Sequence, residues 1–568
     1  MMKLMSHVKP GGKHKDAGAG KGDVRPPEPP KAGSDIPEVI KRVYMFKDGN
    51  KDMKNILGGK GANLCEMTRL GLPVPPGFII STKVCKEFFD TGTNELPEGL
   101  EEEYMKAMAH LEEAMGKKFG DVDTPLLLSV RSGAPVSMPG MMDTVLNLGV
   151  NDATVAKMAE KSGNPRWAYD VHRRFLQMFS NVVMGVDGGA FEEAISAVKK
   201  AKGVKTDNEL DADDLKEIVR RFKEINKDVP DDPVRQLYMS VRAVFSSWFN
   251  ARAVRYRAYN NIPKDLGTAV NVQVMVFGNM NDDSGTGVAF TRNPANGENK
   301  FFGEFLENAE GEDVVAGIRT PKPLEALEAM WPKVYDELWG YQEMLEKHYR
   351  DMQDLEFTIE NGKLYMLQCR NGKRTPKAAV KMAVDMVEEG MITEKEGLKR
   401  IPAKQMDFFL HPSIDPDAEK TVIGKGLPAS PGAATGSIVM TPEDAQAQAK
   451  EGKSVILVRR ETTPEDIHGM KAAVGILTQL GGMTSHAAVV ARGMGTSCVS
   501  GCGDIHVDVE AREVHVRDGR VLKEGDVVTL DGLEGEVLLG EVKRVPAGED
   551  ADFEKVLAWA DHHRRLKV

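Results

Sequence analysis

GGMTSHAAVVARGMGTSC, residues 481–498, sets two glycines and a Thr-Ser-His turn directly before AAVVAR. Glycine permits a tight turn and serine is a preferred helix cap, so the spacing predicts a glycine loop entering a helix of small residues. His486 then stands at the helix N-terminus. Free backbone N–H groups and the positive pole of the helix dipole favour an anion there, a setting that fits a phosphorylated imidazole. A histidine that merely caps a helix beside a tight turn would carry the same pattern. The rest of the chain must decide between these readings.

On either side of this stretch the pattern is one of short strands and turns. SIVMT, SVILVRR and VGILTQL come before it; EVHVRDGRVL and DVVTLDGLEGEVLLG follow, with Asp-Gly turns at 518–519 and 531–532. We read residues 421–542 as a small α/β domain that presents His486, and 543–568 as a linker. Upstream, Thr375 can cap a helix with Pro376 at its first position, and PKAAVKMAVDMVEEG keeps an apolar face up to Gly390. HPSIDPDAE then breaks the pattern with prolines, so 376–420 reads as a helical linker.

The N-terminal half holds four further stretches with chemical potential. In LGGKGANL, Gly58, Gly59 and Gly61 surround Lys60, which can offer a point charge to a phosphate or simply sit in a solvated turn. LLLSVRSGA reads as a strand, Leu126–Val130, that delivers Arg131 into a Ser-Gly turn, where it can bind an anion or pair at the strand end. Ser284, Gly285, Thr286 and Gly287 follow Asp282 and Asp283 as a small-residue loop, either a phosphate-covering flap or an ordinary hairpin loop. DLEFTIENGKLYMLQCR reads as a hairpin around Asn361-Gly362. Asp354 and Glu356 share one strand face and Gln368 and Arg370 another; a three-residue loop with Gly362 as a bulge would align Asp354 with Gln368. Carboxylate and amide oxygens so placed can hold Mg²⁺ against nucleotide phosphates, and the alternative is an edge hairpin with solvated charges. Residues 151–250 are helical in pattern and carry little chemistry, so we read them as an inserted subdomain. In YMKAMAHLEEAM just before them, Tyr104, Met108, Leu111 and Met115 share a helix face and are core.

Composition bounds the rest. With 568 residues the chain is long enough for about three or four domains. A net charge of -11 gives no general attraction to nucleic acid or anionic membrane, so any anion site is a local pocket. No apolar run is long enough for a membrane span. Five cysteines, odd in number and without zinc-site grouping, suit a reducing compartment, and the Gly-, Pro- and Lys-rich residues 1–36 read as a disordered tail without an apolar targeting core. Cytoplasmic localisation follows as the default.

GGKGANL, SVRSGA, SMPGMMDTVLNLG, DDSGTGVAFTR, EFTIENGKLYMLQCRNGKRT and GGMTSHAAVVARGMG, in this order and spacing, closely resemble the pyruvate, phosphate dikinase family over nearly the whole chain after the tail. The resemblance implies an α/β and α+β multidomain protein. Residues 37–375 would be an ATP-grasp nucleotide-binding domain with the helical insertion, followed by a small swivelling phosphohistidine domain. It implies ATP contacts from Lys60, Arg131, Ser284, Gly285, Thr286, Gly287, Glu356, Gln368 and Arg370, and Mg²⁺ held by Asp354, Glu356 and Gln368. It makes His486 the phosphocarrier, in a loop with Gly481, Gly482, Thr484 and Ser485. In the family the histidine attacks ATP, inorganic phosphate is consumed, AMP and diphosphate leave, and the phosphoryl group passes to pyruvate to give phosphoenolpyruvate.

Thr484 matches a regulatory phosphorylation site of plant-type members, or it is a hydrogen-bonding turn residue. Leu480 and Pro135 stand where the family commonly has Arg, and Asn293 where it has Asp. Family members continue past the equivalent of this chain's last residue into a β/α barrel that binds pyruvate and phosphoenolpyruvate. Only the histidine-loading half is therefore expected from this chain alone, and a homodimer is the full-length family's assembly to test for. A water dikinase or antibiotic phosphotransferase, and a non-catalytic relic, are the competing readings.

Overall fold

The computed structural model describes residues 40–566 except 139, 317–318, 404–408, 410–412, 415–417 and 546–550. The tail expected over 1–36 lies outside the described residues, as does most of the proline-broken HPSIDPDAE segment. The described elements all belong to one compact unit.

Two five-stranded sheets build the N-terminal half. The first has the order β1 (Val43–Met45), β2 (Gly77–Ile80), β5 (Ala269–Val274), β3 (Leu128–Gly133), β4 (Thr144–Leu148), antiparallel throughout. The second has the order β10 (Lys363–Asn371), β9 (Gln353–Glu360), β6 (Gly285–Phe290), β7 (Phe302–Glu307), β8 (Lys322–Pro323). Between them lies the helix Lys54–Arg69, whose Leu57, Leu64 and Met67 share a core with Ile79 of β2 and Leu355, Phe357 and Ile359 of β9. This shared core fixes where residues at the start of that helix stand relative to the β9–β10 hairpin.

Six helices between Asp152 and Tyr259 separate β4 from β5. Their Trp167, Phe175, Phe222 and Phe245 pack in one core with Phe78, Val130 and Val272 of the first sheet, so the helical stretch buries its apolar side on the sheet it interrupts. The helix Leu100–Met115 forms as its periodicity predicts: Tyr104, Met108 and Leu111 are buried, and Gly116, at φ 59°, ends it in the left-handed region.

The C-terminal half is built on an eight-stranded sheet, with a separate three-stranded sheet of Ile505–Asp508, Glu513–Val516 and Val521–Lys523. The centre of the larger sheet is four parallel strands, Ala433–Val439, Val455–Arg459, Gly475–Thr478 and Ser497–Ser500. The helix His486–Met494 joins the last two, and its Ala487, Ala488 and Ala491 bury against Val455, Leu457 and Ile476. Small residues on this helix let it lie close to the sheet. The helix Pro376–Glu388 starts as expected, with Thr375 Oγ1 accepting from Ala378 N. Together with Glu394–Arg400 it packs against Ala551–His563, a helix within the segment that reads from sequence as a linker.

Two sequence expectations are corrected here. The Ser284–Gly287 stretch is not an open flap: Gly285, Thr286 and Gly287 begin β6 and are fully in the sheet. Arg131 likewise lies inside β3 and not in the turn after it, because β3 runs on to Gly133 against β5.

Candidate functional site

Geometry at the β9–β10 hairpin differs from the predicted form. Asn361 (φ 50°) and Gly362 (φ 71°) make a strict two-residue turn, pairing Lys363 with Glu360. The bulge falls further along, at Leu367, between Met366 and Gln368. It shifts the register by one, so Gln368 faces Glu356 and Arg370 faces Asp354; the expected alignment of Asp354 with Gln368 is wrong. The four side chains nevertheless meet. Gln368 Nε2 donates to Glu356 Oε1 at 2.6 Å, Arg370 Nε donates to Asp354 Oδ2 at 2.7 Å, and Arg370 Nη2 is 3.9 Å from Glu356 Oε1.

The bulge has a second effect. It frees the Leu367 carbonyl to accept from Arg131 Nη2 at 3.1 Å, while Gln273 Oε1 takes another bond from the same nitrogen. Arg131 thus reaches the hairpin from the first sheet, and its Nε is buried without a partner. Burial pushes its pKa down, against the pull of Glu356.

Lys60 arrives from the helix between the sheets. Gly58, at φ 70°, breaks that helix, and a side chain there would strike the Gly133 carbonyl; Gly59 N donates to Ala134 O at 2.8 Å. The glycines therefore clamp the loop to the end of β3. Lys60 forms no ion pair among the described residues. Loss of hydration, then the Arg131 guanidinium, bring its ammonium pKa down to about 7, with Glu356 opposing and Arg370 adding to the fall.

Asp354 is buried, with Oδ1 unpartnered, and desolvation raises its pKa despite Arg370. Burial works against the charge on Arg370, but Asp354 and Glu356 outweigh it and raise the guanidinium pKa. Ser284 and Thr286 do not join this cluster by hydrogen bonds. Ser284 Oγ bonds Asn281 Oδ1 and Asn361 N at the hairpin tip, and Thr286 Oγ1 donates to Phe357 O. Val288, next in the strand after Gly287, is the residue that faces Glu356.

The histidine loop forms a second group. Gly481, at φ 112°, turns the chain against Ser485, whose Oγ accepts from Ala488 N and caps the helix that starts at His486. His486 Nδ1 lies 3.1 Å from Thr462 Oγ1, and Nε2 is buried without a partner. Burial lowers the imidazole pKa below its ordinary 6.5, with the nearby Asp466 and Glu465 carboxylates opposing. Burial thus favours the neutral ring. No hydrogen bond joins His486 to the hairpin group among the described residues.

Contact between the groups runs through residues that sequence reading passed over. Glu304 of β7 accepts from Met483 N at 3.2 Å and from Thr484 Oγ1 at 3.2 Å, and its carboxylate fills the space beside Gly482. Thr484 is therefore a buried hydrogen-bonding residue of the turn. Arg492 is fully buried, donates to Ala429 O and Met483 O, and lies 5.9 Å from the Phe290 ring centre, close enough to feel Asp354. Arg252 Nη1 pairs with Glu465 Oε1 at 3.2 Å near the Thr462 loop. Thr462 lies in TTPED, a capping pattern visible in the sequence; Glu304 gives no local signal, since its role comes from a partner 180 residues away.

Two α/β lobes, one with an acid, amide and cation cluster at a bulged hairpin and the other with a histidine at a helix N-terminus, define a multidomain protein whose lobes dock through Glu304 and the histidine loop. A family model described as the pyruvate phosphate dikinase AMP/ATP-binding domain matches residues 54–102, 91–331 and 328–391, and the mobile domain of PEP-utilising enzymes matches 451–535. The chain belongs to the pyruvate phosphate dikinase family. Pyruvate, phosphate dikinase of Clostridium symbiosum is 54% identical over 93% of this chain and 61% of its own length. The chloroplastic pyruvate, phosphate dikinase of Mesembryanthemum crystallinum is 54% identical over 93% of this chain and 57% of its own length, and the pyruvate, phosphate dikinase of Rhizobium meliloti is 52% identical over 93% and 61%. The chain thus spans about three fifths of the length of these curated relatives.

Proposed function

We propose that this chain is a phosphotransferase that loads one phosphoryl group onto His486 from ATP in the presence of inorganic phosphate. The observation that carries the reading is His486 Nε2, buried and unpartnered at a helix N-terminus while Nδ1 is held by Thr462. With Nδ1–H donating to Thr462 Oγ1, the lone pair lies on Nε2, and the lowered pKa keeps it available at neutral pH. Nε2 attacks the β-phosphorus as the anhydride bond to the α-phosphate breaks and AMP leaves; an oxygen of inorganic phosphate attacks the γ-phosphorus as the β–γ anhydride bond breaks, so diphosphate leaves and the β-phosphoryl group stays on His486.

In this reading residues 37–375 are an ATP-grasp nucleotide-binding domain with 151–250 inserted, and 421–542 are a swivelling phosphohistidine domain joined through 376–420 and 543–568. Lys60, Arg131 and Arg370 bind and orient the phosphates. Mg²⁺ fits the oxygen set of Asp354, Glu356 and Gln368, since Asp354 Oδ1 is buried and lacks a partner. When bound, the ion would screen phosphate charge. Ser284 to Gly287 support the hairpin tip by packing and serve ATP only indirectly. Burial keeps water from His486 Nε2. Onward transfer to pyruvate, the acceptor in the relatives' names, is assigned to a separate barrel site. The five cysteines are free and buried, which suits the cytoplasm, although some relatives are chloroplastic; among the described residues no helix is long and apolar enough to cross a membrane.

The test is product balance in a single turnover. Stoichiometric protein with ATP and radiolabelled inorganic phosphate should place the label in diphosphate and yield AMP. Release of unlabelled phosphate, with no label in diphosphate, would contradict the proposal and favour water as the second acceptor.

A further inference from the structure

The helix Glu394–Arg400 begins beside the last turn of the helix Ala551–His563. There Glu394 Oε2 lies 3.3 Å from His562 Nδ1 and 3.2 Å from His563 Nε2, and one ligand atom from each of the three residues falls within 4.8 Å of the others. The two imidazole rings are 4.6 Å apart and inclined at 32°. We propose that Glu394, His562 and His563 form a binding site for a divalent transition-metal ion, with zinc the best match.

Ligand chemistry selects the metal. Two imidazoles and one carboxylate make a borderline set that suits zinc, whereas magnesium and calcium call for oxygen donors alone. Distances agree. Zinc–ligand bonds of about 2.0–2.1 Å at the tetrahedral angle put neighbouring ligand atoms about 3.3 Å apart, as both Glu394–histidine separations are.

The three ligands stand on fixed supports. Thr393 caps the first helix in a capping box with Glu396, and Val556 of the second helix is buried with Val380, Ala383, Val384 and Ile401. Lys555 adds an ion pair to Glu388 at 2.6 Å. Side-chain exposures of 38%, 73% and 34% for Glu394, His562 and His563 leave a side open for a water ligand and for entry of the ion. Such an ion would tie the segment that leaves the N-terminal half to the segment that leaves the histidine lobe. The inference stands on this geometry and does not depend on the proposed phosphotransfer.

Untagged full chain, stripped with chelator and titrated with zinc by calorimetry, should take up one ion at this site. Glu394→Gln and the double variant His562→Ala/His563→Ala should each weaken that binding by about tenfold or more. The control variant His506→Ala/His515→Ala, a ring pair 6.3 Å apart on another sheet, should not. Cobalt in place of zinc should give the intense visible absorption of a tetrahedral centre, lost in the same two variants. Circular dichroism establishes that each variant is folded. Equal zinc affinity in all four proteins, absence of saturable binding, or a weak six-coordinate cobalt spectrum would overturn the proposal.

Discussion

Lys60 is a cation held where its charge is costly. With its pKa at about 7, it is mostly neutral at about pH 8, and a nearby triphosphate would raise the value again. ATP binding at that pH should therefore take up a proton, measurable by calorimetry in buffers of different ionisation enthalpy. Lys60→Met should abolish the uptake; unchanged uptake would remove Lys60 from the phosphate site. His486 obeys the opposite logic of availability. Because burial holds its pKa below the ordinary 6.5, the midpoint of the fall in loading rate with falling pH should lie below that value, where Nε2 becomes protonated. At this scale the sequence is informative about side chains whose chemistry is local. His486, Lys60, Arg131, Asp354, Glu356, Gln368 and Arg370 can all be picked from their motifs, whereas Glu304 and Thr462 matter through contacts that only tertiary structure creates. Arg460 is similar. Leu480 N donates to its carbonyl, so an exposed arginine one residue past the strand Val455–Arg459 pairs through its backbone with the uncharged Leu480.

Among the elements, the β9–β10 hairpin explains why residue identities were legible when their pairing was not. Asn-Gly fixes a two-residue turn, but nothing in YMLQCR marks Leu367 as the bulged residue, because the bulge is held by Arg131 from another sheet. The same holds for GTG at 285–287: its composition is that of a loop, and close approach to Phe357 and the neighbouring β7 backbone is what requires glycine in the strand. Gly58 is the most exacting of these positions, with φ 70° and the Gly133 carbonyl where a Cβ would be. Gly58→Ala should cost about 3 kcal/mol or more, read from denaturant unfolding, and should displace Lys60. A change within 0.5 kcal/mol, roughly that of a neutral surface substitution, would show that the loop is not clamped.

For the whole molecule, the docking of the histidine lobe rests on few polar contacts. Glu304 supplies two of them, to Met483 N and Thr484 Oγ1, and a charged acceptor bond is worth about 1.5–3 kcal/mol. Glu304→Ala should free the lobe, enlarging the radius of gyration in solution scattering and slowing the loading of His486, with the N-terminal half still folded. Identical scattering and identical loading would mean that the docking does not depend on this carboxylate. The lobes themselves were readable from sequence because hydrophobic periodicity and turn chemistry act locally; the surface on which they meet was not, since it unites residues far apart in the chain.

Intact-mass analysis of the chain after incubation with ATP, Mg²⁺ and inorganic phosphate tests His486 as the phosphoryl carrier most directly. A single acid-labile phosphoryl group is expected on the wild-type protein and none on His486→Ala. No acid-labile phosphate on the wild type, or the same amount on both proteins, would contradict the assignment of His486 as the phosphoryl carrier.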